Sequence, residues 1–125
     1  MTGYPDLAVM IGRGLISALF IGGAIQKALD PDPAMTLLAG SGLPTFLVWA
    51  ALGFNAVAGI MVLCGWAVRP LALMLAVYCA ITSLFHLIPD DPWQMSIFVK
   101  NWAIAGGCLV LAAHGPGRYV LRNPV

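Results

Sequence analysis

Charge is what this sequence lacks. Only 9% of its 125 residues are charged, none is a glutamate, and 61% are hydrophobic. A water-soluble domain is about a quarter charged, because its surface must stay hydrated. A chain this poor in charge has lipid as its solvent. The net charge of +1 offers no basic patch to displace counterions from phosphates, which argues against nucleic acid as a partner. Cysteine is scarce too. Cys64, Cys79 and Cys108 are odd in number, far apart and set in apolar runs, so neither a disulfide framework nor a zinc site is expected. No nucleophile elbow, phosphate loop or pair of carboxylates appears, and no residue is nominated as catalytic. The opening MTGYPDLAVM has no Lys or Arg before the first apolar run, so that run reads as a retained span rather than a cleaved signal.

What is present is hydrophobic length. Apolar segments run over about 7–29, 45–66, 70–87 and 93–113, each near the roughly 20 residues that cross a bilayer as a helix. Turn chemistry separates them: LDPDP, GWAVRP, IPDDP and, after the last, HGPGR. The expected fold is therefore all-α: an antiparallel four-transmembrane-helix bundle spanning 1–125 as a single domain. Between spans one and two, PAMTLLAG predicts a short interfacial helix, with Asp32 as N-cap, Pro33 in its first turn and Gly40 at its end. Asp91–Pro92 repeats that start signal before span four. Stripes of small residues predict the packing faces. They are Gly14, Ala18, Gly22 and Gln26 on span one, Ala51, Asn55 and Gly59 on span two, Ala72, Ala76 and Ala80 on span three, and Ala103 and Gly107 on span four. Arg69, Arg118 and Arg122 cluster at one end and Asp30, Asp32, Asp90 and Asp91 at the other. By the positive-inside rule both termini are expected in the cytoplasm.

Polar side chains at membrane depth need a reason, since each costs a few kcal/mol on insertion scales. Arg13 either snorkels to the headgroups or turns inward to a carbonyl or Asn55. Asn55 reads as an interhelical hydrogen bond. Near the aspartate-rich end the polar set is larger: Gln26 and Lys27 close span one, Tyr78, Thr82 and His86 form a stripe on span three, and Lys100 and Asn101 sit below Trp93 on span four. One expectation is that these groups converge on a polar cavity, where His86, Lys100 or Asn101 donate to the carbonyl oxygens of a quinone. The other is that Lys27 and Lys100 snorkel toward Asp30, Asp90 and Asp91, and the aspartates cap helices. A His86–Asp90 metal pair would require the helix to survive Pro89, and no metal is expected.

In order along the chain, Arg13 with LFIGGAIQKALDP, the GLP before span two, ALGFNAVAGIMVLCGWAVRP, the FH ending span three, FVKNWAIAGGCLVLA and GPGRY together resemble the DoxX family. The resemblance implies a bacterial or archaeal four-helix protein of the inner or plasma membrane. Some members are subunits of a membrane-bound thiosulfate:quinone oxidoreductase, and others are linked to thiol redox homeostasis. Asn55 departs from the glutamate usual at that position, and Val120-Leu121-Arg122 departs from the usual Ser-Leu-Asp. The expected function is an accessory or anchoring subunit of an oxidoreductase system, in contact with lipid, other subunits and quinone, with no covalently bound cofactor. The alternatives are a purely structural or assembly subunit and a small transporter.

Overall fold

The computed structural model describes residues 4–118 and 120. Arg122, used above for orientation, and Tyr119 of the GPGRY ending lie outside the described residues. The elements in order are α1 (Tyr4–Leu29), α2 (Asp32–Gly40), α3 (Leu47–Cys64), α4 (Val68–Ser83), a 3-10 turn (Leu84–His86) and α5 (Pro92–His114). Four helical stretches are long and apolar enough to cross a membrane: Tyr4–Leu29, Leu47–Cys64, Val68–His86 and Pro92–His114. The described residues contain no strand. This is an all-α membrane protein with a short helix between its first two spans.

Side-chain contacts fix the alternation of direction. Arg13, near the start of α1, reaches Leu63 at the end of α3 and Pro116 just after α5. Arg69, at the start of α4, reaches Ala113 and His114 at the end of α5. At the opposite end His86 meets Gln94, the start of α5. The spans are thus antiparallel in sequence, with an arginine end and an aspartate end. Two couples approach closely, α1 with α3 and α4 with α5, and they join across a wider seam. Phe20, Val62, Leu75 and Cys108 fill the interior between them. Large side chains such as Leu15, Val57 and Val110 point outward, 59–69% exposed, where hydrocarbon covers them.

Local chemistry sets the helix ends. Asp91 caps α5 as its sequence predicts: its carboxylate accepts from the N–H groups of Trp93 and Gln94 at 3.0 and 3.3 Å. At α2 the expectation shifts by one residue. Asp32 is already helical, and its N–H is taken by the Asp30 carboxylate at 3.4 Å. α3 ends on Gly65 at φ 83°, and Ala67 follows at φ 53°, so the chain reverses into α4 within three residues. A left-handed alanine costs about 1 kcal/mol, and the tight reversal keeps it.

Small residues mark the true packing face on some spans and not on others. Gly59 lies against α1: a Cβ there would come within 2.8 Å of Ile21 Cγ1 and 3.3 Å of the Ile21 backbone nitrogen. Ala72 and Ala76 are likewise buried. On α1, however, the expected stripe is turned outward. Ala18, Gly22 and Gln26 are exposed, and a Cβ on Gly14 or Gly22 would meet nothing. The buried face carries Arg13, Ser17, Phe20 and Ala24. Ala103 on α5 is also exposed, with Ala105, Cys108 and Leu111 buried in its place. In lipid a small side chain is cheap on either face, whereas a polar one is cheap only inside.

Candidate functional site

Arg13 is the most heavily buried charged residue described, 4% exposed. It takes the inward alternative. Its guanidinium donates to the Pro116 carbonyl at 2.7 Å and to the Leu63 carbonyl at 3.3 Å. Leu63 is at the end of α3, where carbonyls lack an intrahelical donor, and Pro116 lies just beyond the end of α5. Arg69 does the same for α5, donating to Ala113 at 2.7 Å and His114 at 3.1 Å. Cations at helix C-termini also complement the helix dipole. The arginine end is thereby closed by its own guanidinium groups.

The middle of the bundle is different. Asn55 on α3 is 2% exposed, and its Nδ2 donates to the Tyr78 hydroxyl on α4 at 3.3 Å. The Tyr78 ring is held by Phe20 (edge-on, centroids 6.4 Å apart) and Phe54 (tilted, 5.4 Å). Asn55 Oδ1 and the fully buried Ser17 Oγ have no hydrogen-bond partner among the described residues. Such groups usually find partners, because an unmade bond in a dry interior costs about 1–3 kcal/mol.

Lys27 completes this cluster. Helical side chains lean toward their helix's N-terminus, which for α1 means inward. Lys27 Nζ accordingly lies one turn back, 3.7 Å from where a Gly23 Cβ would sit, and Asn55 Nδ2 is equally 3.7 Å from that point. The two nitrogens are at most twice that distance apart. Gly23 thus leaves a notch bounded by an amine, an amide and, through the amide, a phenol. Tyr78 also lines a wide-open apolar groove of about 480 Å³ between α3 and α4, together with Phe54, Leu73, Met74, Val77 and Ile81.

The remaining candidate residues are scattered. Thr82 Oγ1 donates back to the Tyr78 carbonyl of its own helix at 2.9 Å. His86 sits in the 3-10 turn, where its Nδ1 donates to Gln94 Oε1 at 2.6 Å. The helix stops before Asp90, so no helical His86–Asp90 pair forms. Asn101 is half-buried on α5, while Gln26 and Lys100 are exposed. Lys100 lies in the N-terminal half of its helix, so the same lean directs it away from the bundle's middle. The structure therefore brings Lys27, Asn55 and Tyr78 together and leaves Gln26 and Lys100 on the outside. Among the described residues no Lys or Asp forms an ion pair. Ser17, Gly23 and Gln94 were not singled out from the sequence. The polar repeat Arg13–Ser17 through Lys27, at helical spacing on α1, was the available signal.

Comparison with known proteins bears on this arrangement. The family model described as DoxX matches residues 8–87, from the first turns of α1 to just past the 3-10 turn. The chain is similar to the protein named "Inner membrane protein YqjF" of Escherichia coli (strain K12), 30% identical over 120 residues that cover 95% of this chain and 92% of that one. It is also similar to "Inner membrane protein YphA" of the same organism, 29% identical over 120 residues, covering 87% and 84% respectively. No solved structure matches it.

Proposed function

The chain belongs to the DoxX family, and from that premise we propose that it is an accessory or anchoring subunit of a membrane-bound redox system, with a quinone headgroup held in the aspartate-end half of the bundle. One observation carries the reading: Lys27 Nζ shares the Gly23 notch with Asn55, the partner of Tyr78, although Lys27 is only two residues from the end of its helix. A lysine there is free to snorkel outward, so its inward course marks a polar interior worth a charge. The residues fit a quinone. Lys27 and the Tyr78 hydroxyl, whose own proton is not used by Asn55, are donors for a carbonyl oxygen. The aromatic ring of Tyr78 and the groove beside it suit an apolar ring and tail. A bound quinone supplies two-electron, two-proton chemistry in the membrane; this chain's residues bind and orient it, and the electron donor is another subunit.

By the positive-inside rule the arginine end, with Arg69 and Arg118, faces the cytoplasm, as do both termini, in an inner membrane like that of the named relatives. A phosphatase reporter fused after Val125 that is active only when exported would reverse this orientation. For the quinone, protein purified in a mild detergent is extracted and its quinone counted by mass spectrometry. Lys27→Met and Tyr78→Phe each lower the quinone per protein while the fold survives; equal amounts in both variants and the parent end the quinone reading. A structural or assembly role is the second reading, favoured by one fact. Ala18 and Gly22 face outward, on a surface where a helix from another subunit can approach closely.

A further inference from the structure

We infer that the notch between Gly23, Lys27, Asn55 and Tyr78 receives the carboxylate of a single-chain amphiphile, whose hydrocarbon lies in the α3/α4 groove. The inference rests on reading the notch as a ligand site, but adds what a quinone does not require: a negative charge.

The first argument is charge. Lys27 makes no ion pair among the described residues, so none of Asp6, Asp30, Asp32, Asp90 and Asp91 comes within ion-pair distance of its amine. Asp91 binds the N–H groups of Trp93 and Gln94, Asp30 binds the N–H of Asp32, and Asp6 is in the first turn of α1 at the other end. Among the described residues no carboxylate lies beside the amine within the spans. In a medium of low dielectric an unbalanced ammonium attracts an anion far more strongly than in water.

The second argument is the direction of the hydrogen bonds. Tyr78 oxygen accepts from Asn55 Nδ2, which leaves the phenolic proton to donate elsewhere. Lys27 has three donors and no acceptor. Asn55 Oδ1, which has no partner among the described residues, can take one ammonium proton; donors still outnumber acceptors here, and their complement is an oxygen that accepts. Space is available because Gly23 has no side chain: a Cβ there would approach these nitrogens no closer than 3.7 Å.

The third argument is what adjoins the notch. Tyr78 belongs to both compartments, its hydroxyl toward Asn55 and its ring in a groove lined wholly by apolar side chains. That groove opens among Leu73, Met74 and Val77, which face the hydrocarbon. A ligand reaching it travels in the bilayer. An anionic head on a single flexible chain satisfies both compartments, whereas an inorganic anion would leave the groove unused.

The test uses delipidated protein in detergent and counts bound ligand by native mass spectrometry, with thermal unfolding as the second readout. Laurate is compared with dodecanol, which has the same chain and a neutral head, and with acetate, which has the head alone. Laurate is expected to bind and raise the unfolding temperature, and dodecanol and acetate to bind at least about tenfold more weakly. Lys27→Met should remove the preference for laurate, and Tyr78→Phe should reduce it. Lys100→Met, an equal loss of charge on the exposed face of α5, should leave it intact. If Lys27→Met does not fold, Gly23→Leu fills the notch from the same helix and should give the same loss. Equal binding of laurate and dodecanol, or an undiminished laurate preference in Lys27→Met, overturns the inference. Acetate binding as tightly as laurate overturns the part assigned to the groove. The quinone reading fails or stands separately. Protein that retains quinone but ignores laurate sinks the carboxylate alone, and laurate binding without extractable quinone sinks the quinone alone.

Discussion

Arg13 and Lys27 lie on the same inward side of α1, one near each end, and their surroundings treat them differently. Arg13 is sealed against the Leu63 and Pro116 carbonyls, so its charge is matched by carbonyl dipoles at the end of α3 and just past α5. Lys27 Nζ lies beside the same notch as the Asn55 amide, yet makes no hydrogen bond or ion pair among the described residues. Removing the first cation exposes polar backbone that has nowhere else to bond. Removing the second relieves an unbalanced charge. The comparison teaches that burial of a cation in a membrane bundle does not by itself indicate a structural or a functional role. The partners decide it.

The comparison can be broken most severely where the two ends are tied together. Gly59→Leu drives a side chain into Ile21 and separates α3 from α1, the helix that carries both cations. A loss of about 3 kcal/mol or more is expected, read as failure to purify folded protein or a collapsed unfolding temperature. Gly22→Leu, on the open face of the same helix, should leave that temperature nearly unchanged. Arg13→Met comes next. It strands the Pro116 and Leu63 carbonyls, and should cost about 2–4 kcal/mol by detergent unfolding. Arg69→Ala removes an exposed cap of α5 and should cost only about 1 kcal/mol by the same measurement.

How much of this was legible beforehand differs by level. The spans, their alternation and the Asp91 cap could be read because hydropathy and Asp-Pro signals act locally. The inward face of α1 could not be read from small residues, since Gly22 and Ala18 are tolerated against lipid as well as against a helix. The polar residues Arg13, Ser17 and Lys27 point to it better, because lipid penalises them. Lys27 and Lys100 both read from the sequence as amines of the aspartate-end half. They separate because α1 and α5 run in opposite directions: the lean toward the helix N-terminus carries one amine inward and directs the other away from the centre. Asn55 was expected to bond across helices. That Tyr78 is its partner, and that Gly23 leaves room beside both, depends on which faces meet, and a single sequence does not specify that.

The account's central claim is that the aspartate-end half of the bundle holds a ligand site while the arginine end is built for closure. The most direct test is thermal unfolding of Lys27→Met and Arg13→Met, side by side in one delipidating detergent. Arg13→Met should unfold well below the parent. Lys27→Met should match or exceed the parent, because an apolar isostere replaces a charge that makes no ion pair among the described residues. If Lys27→Met instead fell as far as Arg13→Met, Lys27 would be a structural residue and the site reading would be contradicted.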